Sequence, residues 1–541
     1  MHMNRIKHSH TVDFIVVGAG SAGCVLANRL SANPEVSVAL FEAGQEANTW
    51  KIRMPAALTY NLSNKNYNWF YHTEPESELN NRCLYWPRGK VMGGSSSLNA
   101  MVYIRGHAKD FDRWHAEGAT GWSYENVLPY FKRSETYKKG PDAYRGGSGP
   151  LIVSHKMSQN PLFDVFIEAG VQAGYPRTED VNGAQQEGFG RFDMTIDGGQ
   201  RCSAADAYLP PLIRARKNLS CMTQAMVRKI LFQGTKAIGI EYIQNGITTC
   251  CYARDEIILS GGAINSPHLL MLSGIGPASM LIKNDIKVLV DLKGVGRNLQ
   301  DHLEFYMQYE SKQPVTLHAM CNPLKRAAVG IQWFLSKKGL AASSHLESGG
   351  FIRSREDIPH PDIQYHFLPG LINNHTRDLA GTHAFQVHVG TMRPESRGYL
   401  ELASNDPATA IKIFGNYLQT ENDLNDLVAA IPITRDIFNQ PAFKYYKERE
   451  IQPGIQCNSP KEMREFIREK ADSAYHPCGT CKMGQDELAV VNPSACVYGV
   501  DNLRVVDASI MPSIISGNLN APTIMMAERI SDMILGVELE T

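Results

Sequence analysis

The chain has 541 residues, 43% hydrophobic and 20% charged, with a formal net charge of −1. That length exceeds what one hydrophobic core supports, so two or more domains are expected. The balanced charge gives no bulk field toward nucleic acid, and no apolar run approaches the ~18 residues of a spanning helix, which leaves only peripheral contact with a membrane open.

The polar, basic start from Met1 to His10 lacks the apolar core of a secretory signal, and Glu538 to Thr541 is not a peroxisomal address. Eleven cysteines without an export signal read as reduced thiols in a cytoplasmic setting, at most peripheral to the inner membrane face.

Val12 to Val17 is an apolar run of strand length that enters Gly18-Ala19-Gly20-Ser21-Ala22-Gly23 and then a helical pattern. Gly18 allows a tight turn, Gly20 lets backbone approach a pyrophosphate, and Gly23 lets the helix pack close to the strand. A second strand, Val36 to Phe41, ends at Glu42, where a carboxylate accepts hydrogen bonds from ribose. The order marks a dinucleotide-binding βαβ unit without choosing the dinucleotide. Residues 46–110 are loop-rich around the glycine- and serine-rich stretch 88–97. This stretch reads equally as a donor-bearing ligand loop or as a flexible surface loop.

A strand pattern from Asn218 to Val227, a hairpin-like stretch from Ile238 to Tyr252 and an apolar run from Glu256 into glycines then return to the first sheet. Residues 311–464 differ, mixing strands such as Ile363 to Phe367 with a helix-rich stretch at 421–448. Leu503 to Asp507 reads as a strand ending in an acid, and Thr523 to Leu535 as a helix. The expected fold is α/β. A discontinuous Rossmann-like domain (1–160, 201–310 and 465–541) is joined to an α+β substrate domain with an antiparallel sheet (161–200 and 311–464).

His476 stands in a glycine-rich loop with Cys478 and Cys481. His-x-Cys-x2-Cys is half of a zinc pattern, but Cys496 is alone fifteen residues on, so no metal is expected. A His fixed by the following Pro477 is instead placed to take a proton from a substrate hydroxyl. Asn520 offers a donor and an acceptor nearby, and Pro522-Thr523 opens a helix whose N-terminus suits an electron-rich ring.

With these motifs on the page, the chain resembles the glucose–methanol–choline (GMC) flavin oxidoreductases over essentially its whole length. The resemblance rests on GAGSAG with Glu42, RGKVMGGSSSLNAMVYIRG (88–106), LSGGAINSPHLLMLSGIG (259–276), GVGRNLQDHLE (294–304), AYHPCGTCKMG (474–484) and VVDASIMP…NLNAPTIMMAE at the C-terminal end. Within the family it is most similar to the choline-oxidising dehydrogenases, through stretches such as YNWFYHTEPE (67–76) and DHLEFYMQYE (301–310). The resemblance implies FAD and hydride transfer from a primary alcohol to flavin N5. His476 would be the base, Asn520 its companion, Glu304 the carboxylate facing a cationic head and His366 a second active-site histidine. Leu98 stands where covalently flavinylated members carry a His, which implies non-covalent FAD. Implied cofactor contacts are Gly18, Gly20, Ser21, Ala22, Gly23, Glu42, Ala43, Trp69, Val91, Gly94, Ser95, Asn99, Ala100, Val102, Val227, Gly262, Asp507, Ala508, Asn520, Pro522 and Thr523. The implied substrate is choline, giving betaine aldehyde, with Tyr475 or a nearby aromatic to add a cation–π contact. Another small alcohol or a hydroxy acid such as 3-hydroxypropionate is the alternative, although an anion would want a cation where Glu304 stands. A non-redox lyase ranks lower, and the intact His476/Asn520 pair speaks against a vestigial binding protein. The electron acceptor, whether quinone, other carrier or dioxygen, has no motif.

Overall fold

The computed structural model describes residues 10–155, 158–372 and 381–537. The stretch before His10 and Glu538 to Thr541, read above for targeting, lie outside the described residues. β1 (His10–Val17) buries its last four residues. α1 (Ser21–Leu30) follows, buried on almost every side, and β2 (Val38–Phe41) buries all four of its residues. Such unbroken apolar runs suit parallel strands covered on both faces. The chain then forms α2 (Tyr124–Ser134) and β3 (Gly188–Arg191), the latter an edge of a second sheet.

It returns to the first sheet with β4 (Leu219–Met222), β5 (Ala225–Gln233), β6 (Lys236–Gln244) and β7 (Ile247–Leu259). The second sheet is built from β8 (Leu303–Ser311), β9 (Ser348–Ile352), β10 (Ile363–Leu368), β11 (Ala384–Thr391), β12 (Lys447–Gln452) and β13 (Asp472–Ser473). Helices interrupt it, among them α3 (Pro323–Ser336) and α4 (Glu421–Asn439). β14 (Leu503–Val505) and α5 (Asn520–Leu535) close the chain back on the first sheet, α5 starting three residues before the expected Thr523.

The first sheet runs β4-β2-β1-β7-β6-β5, with β14 paired to β7. Its β4, β2, β1, β7 and β14 neighbours are parallel, and β5-β6-β7 form an antiparallel meander. The second sheet, β12-β8-β11-β10-β9-β3 with β13 on β8, is antiparallel at every pairing. Two expected boundaries therefore move. Residues 303–310, assigned by sequence to the nucleotide-binding unit, are most of β8, and residues 472–473 pair with it. Both follow the hydrogen-bonding register of the second sheet. No described helix is long and apolar enough to cross a membrane.

One buried carboxylate ties the two ends of the chain together. Glu528 of α5, fully buried, accepts from Arg29 Nε and Nη2 of α1, from Arg133 Nε of α2 and from the Tyr208 hydroxyl, all at 2.7–2.8 Å. Removing one member of a buried ion cluster strands the others in low dielectric. Glu528→Gln is therefore expected to lose about 2 kcal/mol of stability. Thermal unfolding followed by circular dichroism checks this, and an unchanged transition would show that the cluster does not hold the helices together.

Candidate active site

A cavity of about 340 Å3 lies where β1, the 88–97 loop, the end of β7 and the start of α5 converge. Glycine makes the convergence sterically feasible. Gly18 has φ +101°, and a Cβ there would stand 2.4 Å from the Ser260 carbonyl oxygen. A Cβ on Gly23 would stand 1.8 Å from the Gly18 carbonyl oxygen, and one on Gly94 2.7 Å from the Gly20 Cα. The 88–97 stretch is consequently a packed loop. Gly93 N donates to Ala19 O at 2.7 Å, and the buried Ser97 hydroxyl donates to Met92 O.

Two helix N-termini open on this cavity. Neither α1, preceded by Gly20, nor α5, preceded by Leu519, has a side-chain cap. The first-turn N–H groups and the positive dipole ends therefore remain available to an electron-rich ligand. Glu42 lies at the end of β2. Burial raises its pKa to about 7, against hydrogen bonds from Ala19 N and Gly44 N at 3.0 and 2.8 Å.

Of the expected cofactor positions, Gly18, Gly20, Ser21, Ala22, Glu42, Ala43, Trp69, Gly94, Ser95, Asn99, Ala100, Val102, Val227, Gly262, Asp507, Ala508, Asn520 and Thr523 line the cavity, as does Leu98. Three do not. Gly23 packs behind the Gly18 turn, Val91 is wholly buried beside Gln45, and Pro522 is buried in the first turn of α5. Ser260 and Asn265, which motif reading passed over, do line it. The Ser260 hydroxyl is buried with no hydrogen-bond partner among the described residues, as suits a group awaiting a ligand.

His476 lies on the wall of the cavity with Asn518 and Tyr475. Asp301 Oδ1 accepts from the His476 backbone N–H at 2.6 Å and so fixes the loop. The rings then determine one another. His302 Nε2 is 3.1 Å from the Met392 carbonyl oxygen, so that nitrogen carries the proton. His302 Nδ1 is left to accept from His476 Nδ1 at 3.0 Å. His476 Nε2 therefore keeps its lone pair, 3.1 Å from Asn518 Nδ2. Burial, with His302, His366 and Arg88 nearby, holds the His476 pKa well below its usual value, so the ring is a neutral acceptor.

The amide beside His476 is thus Asn518, and the expected pairing with Asn520 is corrected. Asn520 is the first residue of α5, and its Oδ1 accepts from Ser21 Oγ at 2.7 Å at the start of α1. Asn518 Oδ1 is 3.3 Å from Gln364 Nε2 and 3.4 Å from His366 Nε2, which turns its NH2 toward His476. Burial lowers the His366 pKa to about 4 and that of His302 to about 4, keeping both neutral.

Glu304 and His366 stand one layer behind, on the second sheet, and do not line the cavity. His302 and Glu304 are two residues apart and share a face at the start of β8. Glu304, Gly390 and Gln364 form one cross-strand row, with His388 and His366 paired in the next. Gly390 leaves that row open between Glu304 and Gln364. Glu304 Oε1 accepts from His388 Nδ1 at 2.9 Å, and no Lys or Arg pairs with it among the described residues. Burial works to raise its pKa, but His388 brings it below the usual value, so the carboxylate is ionised.

Cys478 and Cys481 are buried with thiol pKa values raised by burial, while both ring nitrogens of His476 are engaged by His302 and Asn518. Among the described residues no group of His, Cys, Asp and Glu could hold a metal.

The family model for GMC oxidoreductase matches residues 12–304 in its N-terminal part and 394–527 in its C-terminal part. The chain belongs to the GMC oxidoreductases. It is 54% identical to the mitochondrial choline dehydrogenase of Homo sapiens over 97% of this chain and 89% of that one. To the oxygen-dependent choline dehydrogenase of Escherichia coli K12 it is 49% identical over 97% and 96%. Among solved structures, the pyridoxine 4-oxidase from Mesorbium loti superposes with a TM-score of 0.89 at 33% identity, covering 98% of this chain and all of that one. Formate oxidase of Aspergillus oryzae superposes with a TM-score of 0.91 at 27% identity over 97% and 98%. This GMC enzyme is an FAD-dependent oxidoreductase acting on an alcohol, and the glycine cradle, the open helix ends and the Ser260 hydroxyl fit that cofactor. Gly18→Ala forces a Cβ into the Ser260 carbonyl, so the variant is expected to purify without flavin absorbance and with its far-UV circular dichroism retained. Stoichiometric flavin in that variant would overturn the cradle.

Proposed function

We propose that this enzyme oxidises choline to betaine aldehyde, with FAD held non-covalently in the 340 Å3 cavity. The observation that carries the substrate class is Glu304. An ionised carboxylate, buried and partnered by an imidazole in place of an Arg or Lys, favours a cationic substrate nearby and disfavours an anionic one. The resemblance to proteins named choline dehydrogenases agrees. Leu98, a side chain with no nucleophilic atom, supports non-covalent attachment.

FAD, when bound, supplies the two-electron acceptor for the hydride leaving the alcohol carbon. His476 Nε2 accepts the hydroxyl proton, and the Asn518 amide donates to the same oxygen as negative charge grows on it. His302 acts through His476, keeping the proton on Nδ1 and the lone pair on Nε2. Gln364 and His366 act through Asn518 by fixing its amide. Glu304 attracts the trimethylammonium group, with the half-buried rings of Tyr306 and Tyr475 in its neighbourhood. A separate electron acceptor, a quinone, another carrier or dioxygen, completes the turnover.

Anaerobic flavin bleaching tests this reading. Choline is expected to bleach wild-type enzyme, and His476→Ala to slow bleaching by about a hundredfold or more with FAD still bound. Bleaching by 3-hydroxypropionate but not by choline would sink the substrate assignment. Glu304→Gln is expected to lower kcat/KM for choline on the order of thirtyfold while sparing 3,3-dimethylbutan-1-ol, its uncharged isostere. Equal losses on both alcohols would reduce Glu304 to a structural role.

A further inference from the structure

α3 departs from the burial pattern of every long helix around it. Of its 14 residues only Trp333 is buried. Trp333 sits in a small separate core with Met54, Ala57, Ala341 and Ala342, and its Nε1 donates to Gly199 O at 2.8 Å. Leu324, Ala327, Ala328, Ile331, Phe334 and Leu335 recur at i, i+3, i+4, i+7, i+10 and i+11, which is one helical stripe. At 100° per residue that stripe is centred opposite Trp333, so the apolar face of this amphipathic helix points away from the protein. Leu324, Ile331 and Leu335 are 80%, 60% and 84% exposed. Trp50 continues the patch, its ring 5.7 Å from that of Phe334 and 6.4 Å from that of Tyr60.

The charge around the patch has one sign. Residues 312–346 contain Lys312, Lys325, Arg326, Lys337 and Lys338 and no Asp or Glu. Residues 47–66 contain Lys51, Arg53 and Lys65 and again no acid, in a chain with 54 bases against 55 acids. None of Lys325, Arg326, Lys337 and Lys338 forms an ion pair among the described residues. Exposed leucine, isoleucine, phenylalanine and tryptophan bordered by lysine and arginine match a lipid interface. The apolar side chains reach the acyl boundary while the cations stay at phosphate depth. A second copy seated through the same face would set these cations against their own counterparts.

We propose that α3, with Trp50 and Tyr60, is the face by which this protein seats on a membrane surface carrying anionic phospholipids. The segment that supplies Trp50 and Tyr60 runs on to Leu62, which lines the large cavity, so the seat lies beside one wall of the site. The inference does not rest on the substrate reading above.

Vesicle co-sedimentation of the full-length holoenzyme tests it, with phosphatidylcholine vesicles that do or do not contain phosphatidylglycerol. Partitioning onto the anionic vesicles is expected to exceed that onto phosphatidylcholine alone by at least about tenfold and to weaken with added salt. The triple variant Leu324→Asn/Ile331→Asn/Leu335→Asn is expected to stay in the supernatant while oxidising alcohol normally with a soluble dye acceptor, which shows that it is folded. Replacing Lys325, Arg326, Lys337 and Lys338 by Gln is expected to cost more than about a hundredfold in partitioning. Wild-type protein that ignores anionic vesicles at low salt, or a triple variant that binds them as wild type does, overturns the proposal. So does a wild-type dimer in sedimentation velocity that the triple variant turns into monomer, since a second copy would then be the occupant.

Discussion

α1 and α5 start beside each other, Ser21 Oγ donating to Asn520 Oδ1, and are still in contact two turns later where Arg29 meets Glu528. Both contacts join residues 499 positions apart, so the helices run parallel and in register. Parallel packing gathers two positive dipole ends at one place, which is unfavourable unless something electron-rich faces them. A dinucleotide with a pyrophosphate near one end and a ring that gains negative charge on reduction near the other would meet that requirement. The Glu528 cluster holds the helices together from behind. The cavity exists because the N-terminal and C-terminal segments of the chain share this contact.

The second sheet stands one layer behind the wall that carries His476 and Asn518, and it does a different task. Met392, just after β11, supplies the carbonyl that sets the tautomer of His302, which sets that of His476. Gln364 and His366 on β10 set the amide of Asn518 from the other side. Helix ends thus open on the cavity while a chain of side-chain hydrogen bonds, anchored on the sheet, orients the His476 ring. The histidines in that chain are neutral at ordinary pH, so the aim survives without a compensating charge. Glu304 is the exception, an ionised carboxylate partnered by His388.

Several elements were legible because their signal is local. The Gly18 and Gly23 spacing, the apolar strands on either side and Glu42 lie within one βαβ unit, so their meaning depends on a few adjacent turns. His476 was legible as a chemical group in a constrained loop. Its partners were not, because His302, Met392 and Asn518 come together only through strand register and a loop turn. The substitution of Asn518 for Asn520 shows the resolution of sequence reading. The two residues are two positions apart in Gly517-Asn518-Leu519-Asn520, and the start of α5 at Asn520 sends their side chains to different neighbours.

The sequence by itself determined the dinucleotide unit, the discontinuous two-part architecture, the family and the constrained loop that carries His476, because each rests on short-range spacing or collinear motifs. Only the tertiary structure decided which amide faces His476, which nitrogen of that ring carries the proton, that β8 belongs to the second sheet and that Glu304 is partnered by His388. The same holds for α3, whose apolar periodicity is written in the residues but whose outward direction is not. A helical stripe specifies that some surface must cover it, and only the position of Trp333 in its small core shows that the protein itself does not.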